Sequence, residues 1–144
     1  MNTKIIAHRS AWKEFNLPEN SIGALKKAIE LECYATEFDV HLTNDNVIVV
    51  NHDYDFYGLD IETTNYIDLL KNEHSNKEKI STLQEYFLVG LNQNTTKLIL
   101  EIKTSNIGGT NRTKKLIDIL IKNLPENANH INLEFILFDF EAAI

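Results

Sequence analysis

Short apolar runs of strand length alternate along the chain with segments whose apolar residues recur at helical spacing. This pattern predicts strands at about 4–9, 35–43, 47–52, 97–103 and 131–139. It predicts helices from Asn20 or Ser21 to about Glu32, from Thr82 to about Gly90, and from Lys114 to Leu124. The segment 54–80 is mixed and polar, and its pattern favours no particular fold. Strands joined by helical connections favour a mostly parallel sheet, so the predicted fold class is α/β.

Local signals at the ends of these elements support the assignment. Asn20 is a favourable N-cap, and the Thr82-Leu-Gln-Glu85 sequence is typical of a capping box. Asn44-Asp45-Asn46 and Gly108-Gly109 are typical of turns. We therefore expect Asn20 and Glu85 to have structural roles, with Glu19 shaping the loop after Pro18.

Composition narrows the class of protein. The 144 residues fit one domain, and no apolar run approaches the roughly 20 residues of a spanning helix. The net charge of −7 argues against nucleic acid or an anionic membrane as the main partner. With a single cysteine, Cys33, and no targeting segment visible before His8, we expect a cytoplasmic protein.

Residues whose side chains could take part in catalysis or binding cluster near the downstream ends of the first four predicted strands. They are His8 and Arg9, Glu37 and Asp39, His52, and Glu101 and Lys103. Because functional groups in barrels of alternating strands and helices lie at the carboxyl ends of the strands, we expect these side chains to converge. The fifth strand, which ends near Phe138-Asp139, follows this pattern less clearly.

Strand periodicity indicates which of these groups share a face. Glu37 and Asp39 lie on one face of their strand, opposite Phe38, and Glu101 shares its face with Lys103. A cage of carboxylate oxygens favours a hard divalent cation, Mg²⁺ or Ca²⁺, over zinc. The alternative interpretation is a solvated strand face.

The remaining candidates supply proton transfer and positive charge. His8 and His52 end different strands and could serve as general acid and general base, although a lone histidine is more often structural. Arg9 and Lys103 could bind a phosphate, or they could form ordinary surface ion pairs. Three further histidines lack such placement, and we expect no role for them: His41, which we place at the rim, His74 and His130.

Several of these segments together resemble the glycerophosphodiester phosphodiesterase family. The matching segments are His8-Arg9-Ser10, Pro18-Glu19-Asn20-Ser21, Glu37-Phe38-Asp39-Val40, Val49-Val50-Asn51-His52-Asp53, Thr82-Leu83-x-Glu85 and Leu100-Glu101-Ile102-Lys103. The resemblance implies a TIM barrel that hydrolyses glycerophosphodiesters, which are small molecules, to glycerol 3-phosphate and an alcohol. It implies three groups of site residues: metal ligands Glu37, Asp39 and Glu101, acid/base residues His8 and His52, and phosphate contacts Arg9 and Lys103.

Two departures from the family pattern affect this expectation. Ser10 stands where the family usually has glycine, which costs free energy if φ is positive there. The chain also has only five predicted strands of the family's eight, and Phe138-Asp139 replaces a usual Ser-Phe pair. We therefore expect a single incomplete barrel domain over 1–144, with a short variable insertion at about 54–80. Its edges would invite self-association, and its acidic inner face would lie in water.

Two functional hypotheses follow from the sequence. The first is a metal-dependent phosphodiesterase that acts on glycerophosphodiesters. The second is a truncated, catalytically silent fragment or binding module, suggested by the incomplete barrel wall. Another metallohydrolase barrel is a distant third, because the chain lacks the His-x-His that is common on the first strand of such sites.

Overall fold

The computed structural model describes residues 3–144, which form a mixed sheet with helices on one face. The strands are β1 (Ile6–Ala7), β2 (Ala35–Leu42), β3 (Ile48–Val50), β4 (Asp55–Phe56), β5 (Leu59–Asp60), β6 (Lys97–Ile102) and β7 (Leu133–Leu137). The α-helices are α1 (Ile22–Glu30), α2 (Tyr66–Leu69), α3 (Leu83–Gly90) and α4 (Gly109–Lys122), and a 3₁₀ turn spans Lys13–Phe15.

Four strands of the main sheet are parallel and lie in the order β1, β2, β6, β7. Their order in space follows their order in the chain, as in singly wound barrels and unlike doubly wound sheets. The α/β prediction is therefore confirmed.

The third predicted strand differs from the sequence interpretation. β3 pairs antiparallel with β2, with Val40 opposite Val50 and Leu42 opposite Ile48. It is the return arm of a hairpin, so four of the five predicted strands are parallel and the third runs antiparallel. The short turn at Asn44–Asn46 explains this, because a parallel connection needs a dozen or more residues.

The predicted element ends shift by a few residues. Ser21, rather than Asn20, caps α1 by accepting a hydrogen bond from the Ala24 amide at 3.1 Å. α4 begins at Gly109, five residues before the predicted start. The prediction began too late because the first turn consists of residues with weak helical preference. The Thr82–Glu85 capping box is confirmed, with both reciprocal hydrogen bonds present.

The main core lies between the sheet and helices α1, α3 and α4. Phe38 and Leu100 contribute from the strands, and Leu25, Tyr86 and Leu116 contribute from the helices. All five side chains are almost completely buried. This core occupies the outer face of the sheet. Every second side chain of β2 and β6 points to the opposite, inner face, where polar groups can lie.

The segment after β3 folds as a small unit with its own apolar cluster. It contains the β4–β5 hairpin and α2, and its interior consists of Phe56, Ile61, Leu69 and Ile80, packed with Val49 of β3. Arg112 fastens this unit to the β2–β3 hairpin, donating to the carbonyl oxygens of Thr43 at 2.8 Å and Glu62 at 3.3 Å. The segment therefore has a defined position beside the sheet.

The outer strands of the main sheet carry exposed apolar side chains. Ile6 of β1 is 50% exposed, and Phe135 of β7 is 48% exposed. The longest helix in the part of the chain that the structure describes has 14 residues. Over residues 3–144, no helix has the length and apolar character needed to cross a bilayer.

Candidate active site

Three carboxylates meet on the inner face of the sheet. Glu37 and Asp39 project from β2, and Glu101 follows from β6 because Asp39 and Glu101 are directly opposite in the parallel register. One oxygen of each carboxylate lies within 4.8 Å of the other two. The convergence predicted from strand parity is therefore present in the structure.

Two of the three acids are buried and Glu101 is half-buried, which corrects the expectation that the acidic face would lie in water. Glu37 is 6% exposed and Asp39 is 1% exposed. The Asn20 side chain covers Asp39, donating from Nδ2 to Oδ2 at 3.0 Å, and the Arg9 amide donates to Glu37 Oε2 at 3.0 Å. The loop after β1 thus shields the acids without requiring a complete barrel wall.

The donor set suits a hard divalent cation. Glu37 Oε1 and Asp39 Oδ1 are both buried and have no hydrogen-bond partner. Buried carboxylate oxygens without partners are costly, and a cation between them would satisfy both. Lys103 Nζ, at 3.0 Å from Glu101 Oε1 and 3.5 Å from Asp39 Oδ1, offsets only one of the three negative charges.

The crowding of the acids alters the acidity of Glu37. Burial, together with the Asp39 and Glu101 carboxylates, raises the pKa of Glu37 from 4.5 to about 7. Without a cation, the folded chain therefore keeps this proton at a pH where the unfolded chain has lost it. The contribution of Glu37 to stability is complete below pH 4.5 and is lost as pH rises through about 7.

We accordingly expect a pH-dependent difference between the wild type and Glu37→Gln in the presence of EDTA. From pH 5 to pH 8, the free energy of unfolding of the wild type should fall by on the order of 1–3 kcal/mol relative to Glu37→Gln, whose amide does not titrate. Urea unfolding at both pH values measures this difference. Glu126→Gln, at an exposed position, is the matched control, and parallel behaviour of wild type and Glu37→Gln would contradict the expectation.

Arg9 is held between the acidic loop and a histidine. Its Nη1 donates to Glu19 Oε2 at 2.8 Å, and its Nη2 lies 2.8 Å from His52 Nε2. Glu19 was expected only to shape the loop, and this ion pair shows that it also orients the Arg9 guanidinium. Asn20, expected to cap a helix, instead contacts Asp39.

The two predicted histidines flank the acids in different environments. His8 Nε2 lies 3.8 Å from Glu37 Oε2, and the His8 side chain is 72% exposed. His52 is half-buried, and its Nδ1 lies 2.8 Å from Asp53 Oδ1. Because a carboxylate only accepts, the His52 proton lies on Nδ1, and Nε2 accepts from Arg9.

His52 reaches the site through the β2–β3 hairpin. β2 continues past Asp39 to Leu42, and β3 returns until the Asn51 amide donates to the Asp39 carbonyl at 3.0 Å. His41, expected at the rim, is 2% exposed and its Nε2 donates to the His52 carbonyl at 3.0 Å. Burial lowers the pKa of His41, so the ring stays neutral and holds the backbone of His52 in place.

Ser10 adopts a left-handed conformation, with φ of 67°, so the condition under which serine costs free energy relative to glycine is met. Its hydroxyl compensates by joining a buried network. Ser10 Oγ accepts from Thr36 Oγ1 at 3.0 Å and lies 2.6 Å from the hydroxyl of Tyr86, which is completely buried. This network fixes the turn that carries Arg9.

The network predicts an ordered series of stabilities. Ser10→Ala should lower the free energy of unfolding by about 1–3 kcal/mol, because it keeps the backbone strain and leaves buried hydroxyls without that partner. Ser10→Gly should be roughly 1 kcal/mol more stable than Ser10→Ala, because glycine accepts positive φ. Urea unfolding tests this order. Tyr86→Phe in the Ser10→Gly background should recover part of the loss, and a more stable Ser10→Ala would refute the account.

Comparison with known proteins gives relatives for both the sequence and the fold. The sequence model of the glycerophosphoryl diester phosphodiesterase family matches residues 8–126. A glycerophosphodiester phosphodiesterase of Caldanaerobacter subterraneus subsp. tengcongensis is 51% identical over 53 residues, which are 37% of this chain and 21% of that protein.

Solved structures match nearly the whole chain. A glycerophosphodiester phosphodiesterase from Parabacteroides distasonis has 34% identity and a TM-score of 0.84, with 98% of this chain and 58% of that chain covered. A phosphodiesterase from Oleispira antarctica, solved with the product sn-glycerol-3-phosphate, has 25% identity and a TM-score of 0.78, with 97% and 59% covered. This chain thus spans less than two thirds of either structure.

The family match covers more than half of the chain and includes the predicted acids, histidines and cations. The α/β fold agrees with that of the TIM-barrel phosphodiesterases along almost all of the described residues. On both grounds, the chain belongs to the glycerophosphoryl diester phosphodiesterase family.

Proposed function

We propose that this chain is a metal-dependent phosphodiesterase that cleaves glycerophosphodiesters to glycerol 3-phosphate and an alcohol. The observation that carries the proposal is the three-carboxylate cluster, in which two buried oxygens lack hydrogen-bond partners. Arg9 connects this cluster to His52, because its amide donates to Glu37 and its guanidinium contacts His52. Glu37, Asp39 and Glu101 would hold Mg²⁺ or Ca²⁺, which supplies polarisation of the phosphoryl oxygens when bound.

The two cationic side chains would bind the phosphate of the substrate. Lys103 is anchored by Glu101 and Asp39 at the cluster, and Arg9 is anchored by Glu19. Arg9 offers a fork of N–H groups that matches two phosphate oxygens, whereas Lys103 acts as a point charge. To reach the phosphate, the Arg9 Nη2 group exchanges its contact with His52 Nε2 for one with the substrate.

The two histidines would transfer the protons of the reaction. Hydrolysis breaks the P–O bond to the alcohol and adds the elements of water across it. One histidine takes the proton of the attacking hydroxyl, from water or from a neighbouring hydroxyl of the substrate, and the other donates a proton to the leaving oxygen. If the substrate hydroxyl attacks, a cyclic phosphodiester forms, and water then opens it with the two proton transfers reversed. Asp53 orients His52 through the contact with Nδ1.

An assay of the purified chain with glycerophosphoglycerol tests the proposal. We expect release of glycerol 3-phosphate with Mg²⁺ or Ca²⁺ and none with EDTA. A phosphomonoester serves as the control substrate and should not be hydrolysed. Absence of glycerol 3-phosphate release with either cation would reject the proposal.

A second candidate is a catalytically silent binding module. It is favoured by the outer strands β1 and β7, which carry the exposed apolar residues Ile6 and Phe135. Sheet edges of this kind pair readily with a second copy or with another chain. Analytical ultracentrifugation combined with the same assay distinguishes the candidates: an active monomer excludes the module, and an inactive self-associating chain supports it.

We also propose that the protein acts in the cytoplasm, where it would release glycerol 3-phosphate for lipid and glycerol metabolism. The support is its one cysteine, Cys33, which is buried and unpaired. Reducing compartments favour free thiols of this kind. Cell fractionation followed by immunoblotting tests the location, and recovery outside the cytoplasmic fraction would contradict it.

A further inference from the structure

An apolar groove of about 670 Å³ lies on the helical side of the protein, between α3 and the segment after β3. Leu88 and Val89 of α3 line it, together with Tyr66 and Leu70 at the two ends of α2. Its volume falls within the range of small-molecule sites, which is about 300–1,000 Å³. None of the candidate active-site residues is among its described lining residues, so the groove is a separate feature.

Two residues that line the groove carry buried oxygen atoms without partners. Ser81 is 6% exposed, and its Oγ makes no hydrogen bond within residues 3–144. Glu78 accepts from the Gly23 amide with Oε1 at 2.9 Å, but its Oε2 is buried and receives no donor from the same residues. A buried hydroxyl or carboxylate oxygen without a partner costs free energy. A hydrogen-bond donor bound in the groove would remove this cost.

The charged side chains of the groove favour a cationic ligand. Glu78 and Glu85 line it, and Lys79 is the one cation among its described lining residues. Lys79 Nζ lies 3.4 Å from Oε2 of Glu73, which is not a lining residue, so its charge is already paired. Glu85 gives its Oε2 to the Thr82 amide, which is uncharged. The groove therefore combines apolar surface with an excess of negative charge.

We propose that this groove binds an aliphatic primary amine, whose ammonium donates to the buried oxygens of Glu78 and Ser81 and whose hydrocarbon chain contacts Leu88 and Val89. An ammonium has three N–H donors, so one head group can serve two oxygens. Hydrogen bonds between charged groups are stronger than neutral ones, and each buried methylene adds affinity. The site lies apart from the carboxylate cluster, and the proposal does not depend on the phosphodiesterase function.

Isothermal titration of the purified chain with three probes tests the site. Octylamine, protonated near neutral pH as a lysine is, should bind saturably at one site. 1-Octanol has the same chain without the charge and should bind roughly tenfold more weakly. Butylamine has the same charge on a chain as short as that of lysine. It should also bind at least about tenfold more weakly, because it buries fewer methylene groups.

Two pairs of variants locate the site. Glu78→Gln keeps an oxygen for the Gly23 amide but removes the charge, so it should weaken octylamine binding at least about fivefold and leave 1-octanol binding unchanged. Glu126→Gln, at an exposed position outside the groove, should change neither. Leu88→Asn should weaken the binding of both ligands, whereas Leu31→Asn, also exposed but outside the groove, should weaken neither.

Results with the wild-type chain alone can overturn the proposal, so it remains testable if a variant fails to fold. A response to octylamine that does not saturate would reject the site. Equal affinity for octylamine and 1-octanol would reject the role of Glu78 Oε2. Equal affinity for octylamine and butylamine would reject an aliphatic ligand and favour a lysine side chain of another protein as the occupant.

Heteronuclear NMR spectra give the position of the bound amine. Octylamine should shift the amide resonances of Ser81 and Leu88, which belong to the groove. Shifts confined to Glu37, Asp39 and Glu101 would place the amine at the carboxylate cluster and overturn the proposal.

Discussion

Replacing His52 by alanine is expected to lower kcat for glycerol 3-phosphate release by roughly 10²–10⁴-fold, and His8→Ala should have an effect of similar size. Proton transfer by a positioned side chain contributes about this factor to catalysis. His52 is positioned from two sides, since His41 holds its carbonyl and Asp53 contacts its Nδ1. His8 is exposed, but its Nε2 lies 3.8 Å from the Glu37 carboxylate.

The matched control for these variants is His130→Ala, because His130 is exposed and precedes the amino end of β7, whereas the site lies at the carboxyl ends of the strands. Initial rates with glycerophosphoglycerol measure the effect, and circular dichroism shows whether each variant is folded. Full activity in folded His8→Ala or His52→Ala would contradict the assigned roles.

The same contacts predict a smaller effect for the residue that orients His52. Asp53→Asn should lower kcat by roughly tenfold. This is the smaller end of the effects expected for a residue that orients a neighbouring catalytic side chain. An amide can donate as well as accept, so it no longer selects the Nδ1 proton of His52. The pH dependence of kcat should change in this variant, whereas a purely structural loss would lower kcat equally at all pH values.

The carboxylate cluster could be predicted because it depends on two regular features of sheets. Alternation along β2 places Glu37 and Asp39 on one face, and the parallel register with β6 places Glu101 opposite Asp39. The position of Lys103 follows from the same parity. Side-chain alternation is local and the register repeats along the paired strands, so both features can be inferred from a single sequence.

Other parts of the site depend on contacts between distant segments, which no local pattern encodes. Asn20 has the sequence context of a helix cap, and only the packing of its loop against β2 brings it to Asp39. The contact between His41 and the His52 carbonyl requires the antiparallel hairpin of β2 and β3, and the prediction of a mostly parallel sheet did not specify the direction of β3. The segment 54–80 forms a separate small core around Phe56, and such a core has too few residues to give a clear periodicity.

Removal of the divalent cation should abolish activity, and Asp39→Asn should reproduce the effect in a single residue. Asp39 is 1% exposed, and its Oδ2 is occupied by Asn20, so Oδ1 is the oxygen left for a cation. Asparagine can keep the contact with Asn20, but it loses the negative charge and directs either an amide nitrogen or a neutral oxygen at the cation. We expect the affinity for Mg²⁺ and Ca²⁺ to fall by on the order of a hundredfold or more, because affinity depends on the number of charged ligands.

Isothermal titration of EDTA-treated protein with each cation measures this affinity independently of catalysis. Asp118→Asn, on the exposed side of α4, is the control with the same chemical change. Activity of the wild type should return when Mg²⁺ or Ca²⁺ is restored, and activity of Asp39→Asn should not return at the same concentration. If Asp39→Asn bound the cation as tightly as Asp118→Asn, the cluster would have to be assigned to charge balance with Lys103 and Arg9 instead. The two partnerless oxygens argue against that assignment, because Lys103 approaches Asp39 Oδ1 only to 3.5 Å and leaves Glu37 Oε1 without a donor.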